Sequence, residues 1–279
     1  MRDTSYTNLS ITEAKKIDDS IKLMDLNFTA DTGAQVYAKY NYPTKKPIKK
    51  ILLLFHGYHV DSCSWFDKLA YTQLGFAVFA LDCRGQSGRS EDNSKTKGST
   101  LKGLVIKGVK EGVSNLQMIR QYLDTYRIGT IAQDLHPGLP ICTMGESQGG
   151  ALALIASSLL PNVDTCITQY PYLCDIRHAY DIGYGYSGIN DYFSWVDPLA
   201  STYDYFFKTL AYIDIKNLVH NITADVHMLV GHKDVICPPE CQFALYNNLN
   251  TNKRYYIYPE KEHEYLHNSE DLKLEILIK

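Results

Sequence analysis

The chain has 279 residues, with 28 Lys+Arg against 31 Asp+Glu for a formal net charge of −3, and is 45% hydrophobic and 21% charged. The near-neutral balance without basic blocks speaks against a nucleic-acid partner held through its phosphates. The longest uninterrupted apolar runs, Phe76–Leu81 and Ala151–Ala156, are six residues each, far below the ~20 of a membrane-spanning helix, so no membrane partner is expected either.

From the N-terminus, residues 35–42 alternate as a strand. Nothing else in residues 1–45 assigns an element, which leaves an N-terminal extension of open structure. The opening MRDTSYTNLSITEAKKIDD has no apolar core and no small-residue cleavage pattern, so no secretory leader is expected. Ile51–Phe55 reads as a short buried strand. Residues 62–74 read as a helix closed by Gly75 at the left-handed C′ position. Phe76–Leu81 is a second buried strand. Residues 111–126 put Val113, Leu116, Ile119, Leu123 and Tyr126 on one helical face. Next come Leu139–Met144 (strand), Ala151–Leu160 (helix), Val163–Thr168 (strand), a long aromatic stretch and Val226–Val230 (strand). Phe243–Leu249 (helix), Lys253–Tyr258 (strand) and a C-terminal helix close the chain. This alternation predicts an α/β fold, a mostly parallel central sheet with helices on both faces. No Gly/Ser/Pro-rich linker divides it, so residues 1–279 are expected to form one domain.

Tyrosine is in surplus, 22 residues against 9 Phe and 2 Trp, and nine of the 22 fall between Tyr170 and Tyr212. This aromatic insertion, residues 170–212, suits packing and subunit contact, with one or two rings left for a pocket. The seven cysteines are an odd count. Cys83, Cys142 and Cys166 lie in or beside apolar stretches, where a free thiol behaves as a small hydrophobe. Cys237-x-x-x-Cys241 with His232 nearby is half of a zinc pattern, but no second pair follows at a ligand spacing. No metal and no cofactor is expected, and the cytoplasm is the expected compartment.

Gly145-Glu146-Ser147-Gln148-Gly149-Gly150 contains G-x-S-x-G. Its value lies in context, since the motif needs a strand before it and a helix after it, and both are predicted here. A nucleophile in such a strained turn needs flanking glycines so that strand and helix can approach closely. Acyl transfer also needs two N–H donors for the developing oxyanion. One is the residue after the nucleophile, Gln148; the other is expected in the loop after an earlier strand, where Ile51–Phe55 runs into His56-Gly57-Tyr58 and offers the Tyr58 N–H. In chain order the acid and then the histidine follow the serine. Asp234, in the Gly231-His232-Lys233-Asp234 loop after strand Val226–Val230, fits the acid. His263, five residues past strand Lys253–Tyr258, fits the base, with His267 placed inside the final helix.

A competing pattern overlaps this one. His263-Glu264-Tyr265-Leu266-His267 is H-E-x-x-H, which on a helix would present two imidazoles to zinc with Glu264 as general base. A catalytic zinc site needs a third protein ligand, and the downstream positions of the extended pattern are Glu270 and Lys273. The match is read as coincidence.

Together these residues resemble the acetyl xylan esterase / cephalosporin C deacetylase family, the seventh carbohydrate esterase family. Arg84-Gly85-Gln86 resembles its R-G-Q, Gly145–Gly150 its G-x-S-Q-G-G, Gln169–Leu173 its tyrosine-proline block, Asp234-x-x-Cys237-Pro238-Pro239 its acid block and His263-Glu264 its terminal H-E. Tyr192-Phe193, Asp197-Pro198 and Tyr212–Leu218 are similar to the stretch before the acid. The resemblance implies an α/β-hydrolase fold, a triad of Ser147, Asp234 and His263, and oxyanion donors on Tyr58 and Gln148. It also implies small acetylated substrates, such as acetylated xylo-oligosaccharides and the acetyl ester of cephalosporin C, and a cytoplasmic homohexamer. Arg84 suits a scaffold role through its planar hydrogen-bonding fork. Two departures stand out. Glu262 replaces the glycine usual before the triad histidine, where it would either raise the imidazole pKa or point to solvent. Glu146 adds a carboxylate inside the elbow.

Overall fold

Every residue of Phe76–Leu81 is buried, as both faces of a central strand must be when helices cover each side. The computed structural model describes residues 4–93, 103–184 and 186–279. Its nine strands are β1 (Thr7–Lys15), β2 (Ile21–Thr29), β3 (Gln35–Pro43), β4 (Lys50–Phe55), β5 (Phe76–Leu81), β6 (Ile141–Glu146), β7 (Val163–Gln169), β8 (Asp225–Gly231) and β9 (Lys253–Tyr258). The helices are α1 (Phe66–Gln73), α2 (Gln117–Leu135), α3 (Gln148–Leu159), α4 (Ile176–Asp181), α5 (Ser187–Asp191), α6 (Tyr203–Leu210), α7 (Pro239–Asn247) and α8 (Ser269–Leu277). Among the described residues no helix is long and apolar enough to cross a membrane.

The strands form one sheet in the order β1-β2-β3-β5-β4-β6-β7-β8-β9. Pairs β1–β2, β2–β3 and β3–β5 are antiparallel, and the remaining pairs are parallel. Helices lie on both sides of this mixed sheet, the α/β-hydrolase arrangement. The winding reverses at β4, which pairs with β5 on one side and β6 on the other. A crevice opens outside the carboxyl ends of strands at such a switch point. The loops after β4 and β6 carry Tyr58 and Ser147.

Several elements differ from the sequence reading. Most of the N-terminal extension is the antiparallel end of the sheet: β2 pairs with all nine residues of β3, from Ile21 opposite Pro43 to Thr29 opposite Gln35. Its first three residues lie outside the described ones. α1 starts at Phe66 rather than residue 62, and α7 starts at Pro239, where the missing N–H costs nothing.

The segment predicted as a helix over 111–126 is instead a short 3-10 turn at Val113–Asn115 followed by α2. The left-handed Gly112 (φ +88°) separates the turn from what precedes it. The predicted stripe has the wrong phase because α2 buries polar groups alongside Met118, Tyr122, Ile128 and Ile131: Asp124 and Arg127 are both inside. Arg84 donates to both Asp124 oxygens and, at 2.8 Å, to Asp31, while Arg127 reaches Asp124 at 2.8 Å and Asp31 at 3.0 Å. Apolar periodicity cannot detect a face built on ion pairs.

In the aromatic insertion, Tyr180, Tyr192, Phe193, Tyr203, Phe206 and Phe207 pack ring against ring, with Tyr192–Phe206 centroids 4.5 Å apart and Tyr203–Phe207 4.7 Å. The surplus therefore builds an internal cluster first. Trp195 and Leu199 remain exposed at 82% and 91%.

Candidate active site

β6 delivers the chain into a turn in which Ser147 has φ +53° and ψ −118°, a conformation that costs free energy for a residue with a Cβ. The surroundings hold it there. Ser147 N donates to Gln169 O at 2.9 Å, and its carbonyl accepts from Tyr172 N at 3.0 Å and Ala151 N at 3.1 Å. A Cβ on Gly145 would sit 2.7 Å from the Phe55 carbonyl, and one on Gly149 would run into the same group. The two glycines thus let α3 lie directly against the end of β4.

Three side chains from distant parts of the chain meet here. His263 Nε2 lies 3.1 Å from Ser147 Oγ, and His263 Nδ1 lies 2.8 Å from Asp234 Oδ2. Asp234 is buried, and its other oxygen accepts the N–H groups of Ile236 and Cys237, each at 2.8 Å. The loops carrying the acid and the histidine are tied together: Lys233 N donates to Lys261 O at 2.8 Å and His232 N to Tyr258 O at 3.0 Å. Gly231 makes that approach possible, since a Cβ there would sit 2.7 Å from the Lys261 carbonyl. Nothing in local sequence marks Gly231, because its constraint comes from a loop thirty residues on.

Gln148 is the first residue of α3, so its N–H has no intrahelical acceptor and lies at the positive end of the helix dipole. Tyr58 lines the pocket, its ring stacked on Tyr172 at 5.9 Å. The preceding His56 is structural. Its Nε2 accepts from Cys83 N at 2.9 Å, and burial pushes its pKa below the ordinary value, so it stays neutral.

The R-G-Q motif divides its work. Arg84 is fully buried in the ion-pair network with Asp31, Asp124 and Arg127 and has no access to the pocket. Gly85 has φ +67°, and a Cβ there would lie 2.6 Å from an Asp92 carboxylate oxygen. Gln86 donates to the side-chain carbonyl of Gln148 at 2.7 Å.

The pocket over Ser147 has a volume of about 1120 Å³. Tyr170, Tyr172, Tyr184 and Tyr186 of the insertion line it, four rings where one or two are expected from the sequence. Tyr170 packs its ring 4.4 Å from the His263 imidazole. Glu146 is not a free carboxylate. It meets Lys273 of α8 at 2.6 Å, and Lys273 also meets Glu270 at 2.8 Å. Burial works to lower the Lys273 pKa, but the two carboxylates outweigh it and hold the ammonium above the usual lysine value. Glu262 is exposed to solvent.

The H-E-x-x-H segment is not helical. α8 begins at Ser269, which places His267 before the helix rather than inside it, and Glu264 is exposed and paired with Lys261 at 3.3 Å. Helical i, i+4 presentation of two imidazoles is therefore absent. Among the described residues, Asp234, Cys237 and His263 bring a carboxylate, a thiol and an imidazole within 4.8 Å of one another, and there the imidazole is already bonded to the carboxylate. Burial pushes the Cys237 thiol well above its ordinary pKa, which keeps it from competing as a nucleophile.

Residues 3–279 match the family model for acetyl xylan esterase (AXE1). Among curated proteins, acetyl esterase Axe7A of Xylanibacter ruminicola is 32% identical over 127 residues, 45% of this chain and 28% of that protein, so the match spans under a third of the relative. Acetyl xylan esterase 1 from Thermoanaerobacterium sp. JW/SL YS485 superposes with a TM-score of 0.92 at 35% identity, covering 98% of this chain and 87% of that one. The acetyl xylan esterase from Paenibacillus sp. R4 gives 0.87 at 25% identity, with 97% and 87% covered.

Proposed function

The chain belongs to the acetyl xylan esterase family, and from that premise we propose that it is a serine carboxylesterase. It removes acetyl groups from small acetylated molecules, acetylated xylo-oligosaccharides and cephalosporin C type esters among them. The observation that carries this reading is the unbroken hydrogen-bonded run from Asp234 through His263 to Ser147 Oγ at the wall of one pocket.

In the proposed reaction Ser147 Oγ attacks the acetyl carbonyl while His263 Nε2 takes the hydroxyl proton. Asp234 holds the Nδ1–H tautomer and stabilises the imidazolium, its own charge spread over the Ile236 and Cys237 N–H groups. The oxyanion of the tetrahedral intermediate rests on the Tyr58 and Gln148 N–H groups, donors already in place before charge develops. His263 then passes its proton to the departing alcohol oxygen. A water molecule repeats the sequence on the acetyl-enzyme and releases acetate. Every step uses the chain's own groups and water.

An acyl-chain series tests the reading. Hydrolysis of 4-nitrophenyl esters from acetate to octanoate should fall steeply beyond about two to four carbons; a flat or rising series would point to a long-chain lipase or a peptidase. We further place the protein in the cytoplasm as a homo-oligomer, a hexamer by resemblance. All seven cysteines are free thiols, which accords with a reducing compartment, and the exposed Trp195 and Leu199 suit a covered surface. Sedimentation of the purified chain measures the subunit count.

A further inference from the structure

One end of the pocket carries more charge than ester hydrolysis uses. Glu146, adjacent to the nucleophile, and Glu270, in the first turn of α8, both line the cavity and share the single ammonium of Lys273. Lys273 is buried, with its side chain 4% exposed, whereas the two carboxylates are 45% and 53% exposed. The cation is thus spent on its partners, and the acceptor oxygens are what face the cavity. Asp67 and Lys68 line the same pocket and offset one another, with the Lys68 ammonium bonded to Ser64 O at 2.9 Å. The cluster therefore keeps an excess of one negative charge.

The neighbours are aromatic. Tyr170 donates its hydroxyl to the second Glu146 oxygen at 3.3 Å, and Tyr71 lines the pocket close enough for the Glu270 and Glu146 carboxylates to add to the effect of burial in raising its phenol pKa. Ionised carboxylates only accept hydrogen bonds. Such a surface suits a ligand rich in hydroxyl donors whose ring C–H faces can lie on tyrosine, and it opposes a ligand bearing its own carboxylate.

We propose that Glu146 and Glu270, clamped by Lys273, form the subsite that selects a neutral, hydroxyl-rich alcohol portion over an anionic one. The inference rests on the acetyl-esterase reading above and ranks its substrate classes: sugar acetates ahead of cephalosporin C type esters, which carry carboxylate groups.

The test compares kcat/KM for 4-acetoxybenzamide, 4-acetoxybenzoate and a monoacetylated methyl xyloside, at low ionic strength, in the wild type and in the near-isosteric variants E146Q and E270Q. The anionic-to-neutral ratio is expected to rise about fivefold when either carboxylate is neutralised. KM for the xyloside acetate should rise in the same variants, and added salt should raise the anionic-to-neutral ratio in the wild type as screening sets in. A ratio that stays within about twofold of wild type in both variants overturns the inference, since a single partly exposed charge is worth more than that across a pocket. If the wild type turns over none of the three esters, the esterase reading falls. Turnover with a charge-blind ratio sinks the subsite alone.

Discussion

The side-chain amides of Gln86 and Gln148 face each other head to tail. Gln86 Nε2 donates to Gln148 Oε1 at 2.7 Å, and Gln148 Nε2 returns to Gln86 Oε1 at 3.3 Å, with Cys83 Sγ as a further acceptor at 3.3 Å. Both residues are buried, 62 positions apart in the chain. R-G-Q and G-x-S-Q-G-G are thus two halves of one contact, which holds the residue whose backbone N–H we propose for the oxyanion. Gln86→Ala should strand the Gln148 amide. We expect a loss of about 1–3 kcal/mol in denaturant-derived stability and a fall in kcat of about tenfold with KM little changed, short of the loss of a whole oxyanion donor.

Ser147→Ala should cost roughly 10⁵–10⁶ in turnover of 4-nitrophenyl acetate, leaving binding and oxyanion stabilisation. Asp234→Asn, which keeps the shape but favours the wrong imidazole tautomer, should cost about 10⁴. Wild-type turnover in the serine variant would remove Ser147 as the nucleophile.

The Arg84–Asp31–Asp124–Arg127 network makes a stability prediction. Asp124→Ala removes a carboxylate that both buried guanidinium groups, Arg84 and Arg127, meet, and breaking a buried ion pair from one side costs about 3–5 kcal/mol. The urea midpoint should fall accordingly. An unchanged midpoint would mean that solvent reaches the network.

Acid should weaken the fold through one buried imidazole, His56, and two half-buried ones, His136 and His227. Burial lowers the pKa of His56, His136 and His227. The unfolded chain takes up a proton near pH ~6.5 and the native state refuses it. This contribution to stability is therefore complete above that pH and is lost progressively as the pH falls below it. Asp214 acts in the opposite sense: burial raises its pKa to about 6, so protonation of the folded form offsets part of the loss between roughly pH 6 and 4. Thermal melts from pH 7.5 downward measure the sum. An NMR titration should find His56 still neutral at a pH where a free imidazole is charged.

Metal removal gives the last discriminator. With H-E-x-x-H outside any helix, EDTA should leave acetate ester turnover unchanged, and His267→Ala, at an exposed position away from the pocket lining, should do the same. Loss of activity in EDTA with recovery on adding zinc would revive the metal reading.

Some of this protein is legible in its residues alone. Phe76–Leu81 announces itself as a buried apolar run, and both it and the partly exposed edge strand Lys253–Tyr258 begin and end where the sequence places them. Ser147, Asp234 and His263 follow from motif and order, because a strand–turn–helix elbow and loops after successive strands are local requirements that local sequence must meet. The rest is decided by contacts between distant segments. The helix phase of α2 follows from ion pairs with Asp31 and Arg84, Gly231 from the passage of the histidine loop, and the pairing of Glu146 with Lys273 from two positions 127 residues apart. Charge pairing, steric clearance and ring packing across such separations have no sequence period, so only the folded chain sets which carboxylates are neutralised and which line the pocket.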